Sequence, residues 1–190
     1  NKDYSKDIDL LISQTERCSE ILKKISQKQI KEDKFISSIK LEDLLHEIIS
    51  SFQETSSKNI FLISDDDKNK INTKRSPEII YGLRNFIGNA VKFSKSKVNV
   101  ILRSDKENIE VTINDDGPGF PEDIKTILGE PYIKSKSEEV SLNAGLGLGT
   151  FLGKTLLERQ WANLFFSQDK KLGGASVTIS WKVNNIKSNV

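Results

Sequence analysis

Apolar and small residues recur at alternating steps of three and four near the start of the chain. They are Ile8, Leu11, Thr15, Cys18, Leu22 and Ile25. Residues 3–30 contain neither glycine nor proline, so the pattern predicts one long helix with a narrow apolar stripe. Such a stripe favours a partner helix, and we expect a dimerisation helix; packing on its own globular domain is the alternative. With a polar linker, this unit extends over residues 1–34.

From residue 35 onward, helical and strand patterns alternate. Apolar spacing predicts helices over about 41–52, 77–94 and 148–159, and Ser76 followed by Pro77 is typical of a helix start. Alternating residues predict strands at 59–64, 97–104, 109–114, 162–167 and 175–183, of which the last four form two hairpins. This mixture predicts an α+β fold, a two-layer α/β sandwich with helices on one face of a mixed, mostly antiparallel sheet. The domain extends over 35–183, and residues 184–190 are expected to be a disordered tail.

Composition excludes several classes of protein. The chain has 190 residues, and its 29 basic and 27 acidic side chains give a net charge of +2, too balanced for a nucleic-acid partner to be expected. No apolar run approaches the roughly 18 residues that a membrane span requires. The one cysteine excludes an internal disulfide and a zinc site, and the one histidine, His46, excludes a His-rich metal centre.

Two asparagines and a lysine share one face of the second predicted helix of this domain. Asn85, Asn89 and Lys92 are spaced by four and three residues, so their side chains project from the same side. Carboxamide oxygens suit Mg²⁺, and an ammonium group suits the phosphates that the ion bridges. A solvated polar helix face is the alternative, and this segment alone favours it.

A glycine-rich turn follows the predicted strand 109–114. In Asp115-Asp116-Gly117-Pro118-Gly119, two glycines flank a proline, which allows the backbone to approach a ligand closely. A carboxylate at the end of the strand can accept a hydrogen bond from an amino group such as that of adenine. An ordinary Asp-Gly turn is the alternative, and from this segment alone it is favoured.

A second glycine-rich segment, Gly145-Leu146-Gly147-Leu148-Gly149, opens the last predicted long helix. Backbone N–H groups at a helix N-terminus favour bound phosphate. A dinucleotide fingerprint is excluded, because its third glycine position is Thr150 and a polar segment precedes it. A P-loop ending in Gly153-Lys154-Thr155 is excluded as well, because its first glycine position is Leu148 and the motif lies inside an amphipathic helix.

In this order and spacing, the three segments resemble the N box and the two glycine boxes of the catalytic ATP-binding domain of sensor histidine kinases. That domain belongs to the GHKL superfamily, with gyrase, the Hsp90 chaperones and the MutL proteins. The resemblance covers about residues 35–183 and implies a Bergerat-type fold with ATP and Mg²⁺ as cofactors. The roles it implies are Mg²⁺ ligation by Asn89 with Asn85 beside it, phosphate contact by Lys92, recognition of the adenine amino group by Asp115, shaping of the adenine pocket by Gly117 and Gly119, and phosphate contacts by Gly145, Leu146, Gly147, Leu148 and Gly149.

Asn85 bears on the type of reaction. In hydrolysing relatives, the position four residues before the magnesium-binding asparagine carries a glutamate base, and an asparagine is a poor proton acceptor. The resemblance therefore implies that Asn85, Asn89 and Lys92 act in phosphoryl transfer to another nucleophile, which needs mainly positioning and charge neutralisation. Residues 120–144 would form a lid over the nucleotide, with Lys136 reaching the terminal phosphate. A solvated lid charge is the alternative for Lys136.

Three further features resemble the RegB/PrrB/ActS redox-sensor kinases. They are Gly129-Glu130-Pro131-Tyr132 in place of the usual phenylalanine-rich box, the segment 154–159 after the second glycine box, and Trp181 in the last strand. In such kinases a cysteine of the second dimerisation helix, in an Arg-Cys context like Arg17-Cys18, is tied to redox control. Cys18 is therefore a candidate regulatory residue, and a small buried hydrophobe in the helix stripe is the alternative.

His46 does not fit the phosphoacceptor pattern of a histidine kinase. The acceptor is usually followed by an acidic residue and, five positions on, by proline, but Ser51 stands at that position. We therefore expect the acceptor helix to precede residue 1. Residues 1–34 would then hold the second dimerisation helix of a four-helix bundle formed by two chains.

The function predicted from the sequence is that of the ATP-binding core of a two-component sensor histidine kinase. It would transfer the γ-phosphoryl group to a histidine outside this chain and thence to a response regulator, in redox-responsive signalling. The expected partners are a second copy of the chain and the regulator. The expected location is the cytoplasm, with the full-length protein anchored in the inner membrane through a sensor region. A redox-responsive dimerisation module and a non-kinase ATPase of the same superfamily are the alternatives.

Overall fold

A five-stranded mixed sheet lies at the centre of the structure. The computed structural model describes residues 38–64, 71–122, 127–130 and 148–186, all within a unit that begins at Ser38. In spatial order the strands are β2 (Asn59–Ser64), β4 (Lys97–Ser104), β5 (Asn108–Asp115), β7 (Ala175–Lys182) and β6 (Asn163–Gln168). β2 runs parallel to β4, and the other three neighbouring pairs are antiparallel. A separate two-stranded sheet pairs β1 (Ser38–Lys40) with β3 (Asn72–Lys74).

The helices in the described ranges bury their apolar faces against this sheet. They are α1 (Leu41–Gln53), α2 (Pro77–Phe93), α3 (Leu148–Glu158) and the short α4 (Val183–Ile186). In α1 the buried residues are Leu41, Leu44, Leu45, Ile48 and Ile49, as the apolar spacing predicts. They join the inward-facing residues of β4, β5 and β7 in one core. The predicted α+β two-layer sandwich is confirmed.

Local sequence sets the bounds of α2. The Ser76 hydroxyl accepts a hydrogen bond from the backbone N–H of Ile79 at 3.2 Å, and Pro77 occupies the first turn, as predicted. The helix ends at Phe93 because Ser94 adopts an extended conformation. The predicted cap and both ends of this helix are confirmed within one residue.

Two glycines allow α2 and α3 to approach each other closely. A Cβ added at Gly82 would overlap the side chain of Leu157, and one at Gly153 would lie 3.1 Å from Cβ of Asn85. Because neither helix carries a side chain at these two positions, the first turn of α3 can lie beside the middle of α2. This close packing places Gly149, at the start of α3, beside Asn85 and Asn89.

The structure corrects two sequence predictions. Strands β1 and β3 were not predicted, because three-residue strands of mainly polar side chains show no periodicity. The predicted disordered tail 184–190 is wrong for residues 184–186, which belong to α4, because Ile186 is buried in the core together with Val183. Residues 187–190 lie outside the described residues.

Several predictions fall outside the described ranges. They include the helix over 3–30, the linker, the domain start at 35–37 and most of the predicted lid. Among the described residues, no helix is both long enough and apolar enough to cross a membrane.

Candidate functional site

The side-chain oxygens of Asn85 and Asn89 converge beside the first turn of α3. Their amide nitrogens donate to the carbonyl oxygen of Tyr81 at 2.8 Å and to the hydroxyl of Thr150 at 3.2 Å, respectively. A Cβ added at Gly149 would lie 3.5 Å from Oδ1 of Asn85 and 4.0 Å from Oδ1 of Asn89. The two N–H groups are thus engaged within the protein, and both oxygens face one point at the helix start. The predicted common face is confirmed.

Lys92 lies in the last turn of the same helix. Its side chain is exposed, and its ammonium nitrogen lies 5.4 Å from the centre of the Phe93 ring. A cation on a flexible stem at this position can meet an anion that approaches along the α2 face from Asn89. In the part of the chain that the structure describes, no hydrogen bond joins Lys92 to either asparagine, so the lysine does not compete for their oxygens.

Asp115, at the end of β5, is a buried carboxylate with 4% of its surface exposed. Its Oδ1 accepts the backbone N–H groups of Gly117 at 2.8 Å and Ala175 at 3.1 Å. Burial raises the pKa of Asp115 above its ordinary value, although these two hydrogen bonds act in the opposite direction. Both bonds found among the described residues fall on Oδ1, so Oδ2 is the atom that the donor of a ligand would meet.

Gly174 is part of this site and was not predicted from the sequence. A Cβ at this position would overlap the main-chain oxygen and Oδ1 of Asp115 and would lie 2.6 Å from the nitrogen of Gly117. A glycine is therefore required here for the β6–β7 turn to contact the carboxylate. The Gly173-Gly174 pair between the strands predicted at 162–167 and 175–183 was the available signal, but a hairpin turn alone also explains it.

The predicted glycines 117 and 119 meet different constraints. A Cβ at Gly117 would overlap the carbonyl oxygen of Phe93, so the glycine lies directly against the end of α2. Gly119 has φ +79°, a left-handed conformation that glycine adopts without strain. The first glycine box is thereby docked on the helix that carries the asparagines.

An aromatic cluster connects the two parts of the site. Phe120, directly after the first glycine box, packs edge-on against Phe166, with 5.8 Å between the ring centres. The ring centres of Phe166 and of Phe86 on α2 are 6.0 Å apart. None of these three residues was predicted from the sequence to belong to the site. Phe120 follows Gly119 and Phe86 follows Asn85, which was a signal for these two, but apolar residues beside a motif are most often core residues.

Of the second glycine box, the structure describes the last two residues. Leu148 and Gly149 begin α3, as expected, whereas Gly145, Leu146 and Gly147 lie outside the described residues, as do Lys136 and Cys18. From the predicted Gly129-Glu130-Pro131-Tyr132 segment, Gly129 has φ +89°, and a Cβ there would overlap the Lys154 side chain. Gly129, which belongs to the predicted lid 120–144, therefore lies against α3.

The donor set suits a hard cation that brings ligands of its own. Within the described ranges, no group of three or more His, Cys, Asp or Glu side chains could hold a metal ion. The converging oxygens of Asn85 and Asn89 are of the type that Mg²⁺ accepts, but two ligands leave most of an octahedral sphere to water and phosphate. The residues therefore fit Mg²⁺ bound together with a nucleotide rather than alone.

Residues 75–185 match the family of histidine kinase-, DNA gyrase B- and HSP90-like ATPases. The chain belongs to this family. The match includes both asparagines, Asp115 and the glycines 117, 119 and 149, so the boxes identified from the sequence occupy the family's domain. The predicted membership of the GHKL superfamily is confirmed.

Individual relatives agree with this assignment. The chain is 30% identical to the sensor histidine kinase RegB of Cereibacter sphaeroides over 198 aligned positions, which cover 95% of this chain and 43% of RegB. It thus spans less than half the length of that relative. Two solved structures share the fold. The mycobacterial sensor histidine kinase MprB has a TM-score of 0.62 and 18% identity, and the match covers 76% of this chain and 97% of MprB. Full-length ShkA in complex with AMPPNP has a TM-score of 0.64 and 18% identity, and the match covers 80% of this chain and 31% of ShkA. The predicted similarity to RegB-type kinases is confirmed.

Proposed function

We propose that this chain is the ATP-binding catalytic core of a two-component sensor histidine kinase. The observation that carries the proposal is the convergence of the Asn85 and Asn89 oxygens at the start of α3, where the second glycine box ends. Membership of the ATPase family and the similarity to RegB support the same function. The γ-phosphoryl group of ATP would pass to a histidine outside this chain and then to a response regulator.

Each site residue has a role in this proposal. Asn89 ligates Mg²⁺ with Asn85 beside it, and Lys92 meets the phosphates. Asp115 accepts a hydrogen bond from the adenine amino group through Oδ2, because Oδ1 is engaged with the backbone. The remaining contacts come from Gly117 and Gly119 on the adenine side, from Gly145, Leu146, Gly147, Leu148 and Gly149 on the phosphate side, and from Lys136 in the lid.

Mg²⁺ would neutralise charge on the phosphates, and the protein residues would bind and orient the nucleotide. Asn85 cannot act as a general base for water, because a carboxamide does not accept a proton near neutral pH. Its amide N–H bond to the Tyr81 carbonyl also fixes its orientation, with the oxygen toward α3. The chain should accordingly hydrolyse ATP slowly without an acceptor. Steady hydrolysis at many turnovers per second would contradict this assignment.

Phosphoryl transfer in trans tests the proposal directly. The chain would be incubated with Mg²⁺ and γ-labelled ATP together with a separate polypeptide that carries the histidine-bearing helix of a RegB-type kinase. We expect acid-labile label on that polypeptide, none with Asn89→Ala, and undiminished transfer with His46→Gln, since His46 is exposed on α1. Label on His46 itself, or no transfer despite bound ATP, would contradict the proposal.

Redox control through Cys18 and dimerisation through residues 1–34 belong to the same proposal. The support is the Arg17-Cys18 context and the similarity to RegB over 95% of the chain. Oxidised chain should give a disulfide-linked dimer on non-reducing electrophoresis, and Cys18→Ser should abolish it. If the oxidised parent gives no disulfide-linked dimer, the disulfide is contradicted, because Cys18 is the one cysteine of the chain. In the full-length protein this part would lie in the cytoplasm beneath a membrane-anchored sensor region.

A further inference from the structure

Asp116, the second carboxylate of the first glycine box, binds the loop that joins α2 to β4. It accepts the backbone N–H groups of Lys95, Ser96 and Lys97 at 2.8, 3.0 and 3.1 Å, and the Ser96 hydroxyl at 2.7 Å. Although partial burial acts to raise the pKa of Asp116, these hydrogen bonds hold it well below its ordinary value, so the group is charged. Hydrogen bonds to a charged acceptor are roughly twice as strong as neutral ones.

Lys58 binds the same loop from its carbonyl side. Its ammonium group donates to the main-chain oxygen of Ser94 at 2.8 Å and to that of Lys95. These carbonyls follow the last turn of α2. The negative end of the helix dipole also favours a cation at this position. The loop is therefore held by a cation through its carbonyls and by an anion through its amides.

This loop lies between the two parts of the nucleotide site. On one side it continues α2, which presents Asn89 and Lys92. On the other side Asp116 directly follows Asp115, and Gly117 lies against the carbonyl of Phe93 at the end of α2. A shift of the loop would move the asparagine-bearing helix relative to the buried carboxylate.

We propose that Asp116 and Lys58 are positioning residues that set the spacing between the adenine side and the phosphate side of the site. The inference rests on the proposed function, since it concerns how one nucleotide meets both sides at once. ATP spans the two sides, whereas adenosine engages only the Asp115 side. Misplacing one side against the other therefore weakens ATP binding more than adenosine binding, because only ATP requires both sides together.

The test compares Asp116→Asn with Asp105→Asn in the full chain. Asp105 also accepts two backbone N–H groups, those of Glu107 and Asn108 at 2.8 and 2.7 Å, but in the β4–β5 turn, at the opposite end of β5 from Asp116. Both variants should lower the urea midpoint. We expect the Kd for Mg-ATP to rise about tenfold in Asp116→Asn, a loss of about 1.4 kcal/mol, and to stay unchanged in Asp105→Asn. The Kd for adenosine, measured by NMR titration, should change less than about threefold in either variant.

Lys58→Met, with Lys182→Met as its control, keeps the inference testable if Asp116→Asn does not fold. The ammonium group of Lys182 lies 3.9 Å from the Glu107 carboxylate on the surface, so Lys182→Met should leave the Kd values for ATP and adenosine unchanged. A weaker Kd for ATP with unchanged adenosine binding in Lys58→Met supports the inference. Equal losses for ATP and adenosine, or no loss beyond that of the controls, would overturn it while the proposed function stands. If the parent chain itself binds no Mg-ATP, the proposed function fails, and this inference fails with it.

Discussion

Gly174 and Asp115 are in such close contact that no other residue fits at position 174. The backbone of the β6–β7 turn approaches the carboxylate from β7, and Ala175, the next residue, donates its N–H to Oδ1. The buried carboxylate is thus oriented by two glycine-rich segments that are distant in sequence, one before α3 and one after it. Asp115 has an oriented Oδ2 only while both segments are in place.

Gly174→Ala should weaken ATP binding, because the added methyl group displaces the Asp115 carboxylate from its two N–H donors. Gly173→Ala is the matched control: Gly173 has φ +84° and nothing within 4 Å of an added Cβ. The control should lose about 1 kcal/mol of stability through backbone strain and keep its affinity for ATP. Calorimetric titration with Mg-ATP would distinguish the two, and equal affinities would contradict the assigned contact.

The raised pKa of Asp115 predicts an effect of pH on stability. A carboxyl group whose pKa is higher in the folded protein contributes stability below its unfolded value of about 3.8, and that contribution is lost as pH rises through the folded pKa. Asp115→Asn keeps an oxygen acceptor for both N–H groups but cannot ionise. The free energy of unfolding of this variant should therefore exceed that of the parent increasingly as pH rises from about 4 to 7.

Urea denaturation across this pH range provides the measurement. Asp116 and Asp105, whose hydrogen bonds lower their pKa values, change the stability in the opposite direction. Both groups are present in parent and variant, so most of their effect cancels in the difference; the repulsion between Asp115 and Asp116 is part of what the variant removes. A difference in unfolding free energy that does not depend on pH would show that burial does not penalise the Asp115 charge.

The contact between α2 and α3 predicts an unfavourable glycine-to-alanine substitution inside a helix. Alanine favours helices by about 1 kcal/mol over glycine, but at position 82 its methyl group would overlap Leu157. Gly82→Ala should therefore destabilise the chain by about 1–3 kcal/mol and weaken Mg-ATP binding by separating Asn89 from Thr150. Gly88→Ala in the same helix approaches only the end of the Phe52 ring, at 3.1 Å, and should change stability by less than about 1 kcal/mol.

Chemical denaturation and calorimetry of these two variants test the helix contact. Equal stability of Gly82→Ala and Gly88→Ala would contradict the close contact between α2 and α3 at Gly82. If Gly82→Ala were destabilised yet bound ATP like the parent, the helix spacing would not control the site.

The sequence predicts elements whose periodicity is strong and residues whose motifs are local. The buried face of α1 and the Ser76 cap follow from side-chain spacing and capping chemistry alone. The common face of Asn85 and Asn89 also follows, because helical geometry fixes it once the helix is assigned. These features depend on neighbours within a few residues.

Features that depend on tertiary packing could not be predicted in the same way. Gly174 is required because of its contact with Asp115, which lies 59 positions earlier in the chain, and nothing in the local sequence shows this. The role of Asp116 depends on the loop 94–96 between α2 and β4, which the strand pairing brings next to it. Ile186 is buried because the core of the domain extends beyond β7, and no local pattern indicates this.

The central claim is that the asparagine face of α2 and the buried Asp115 bind one molecule of Mg-ATP. Isothermal titration of the parent, Asn89→Ala and Asp115→Asn with ATP, in the presence and absence of Mg²⁺, tests it most directly. We expect the parent to bind, Asn89→Ala to lose most of the Mg²⁺-dependent part of the affinity, and Asp115→Asn to lose affinity with or without the ion. Unchanged affinity in both variants would contradict the site.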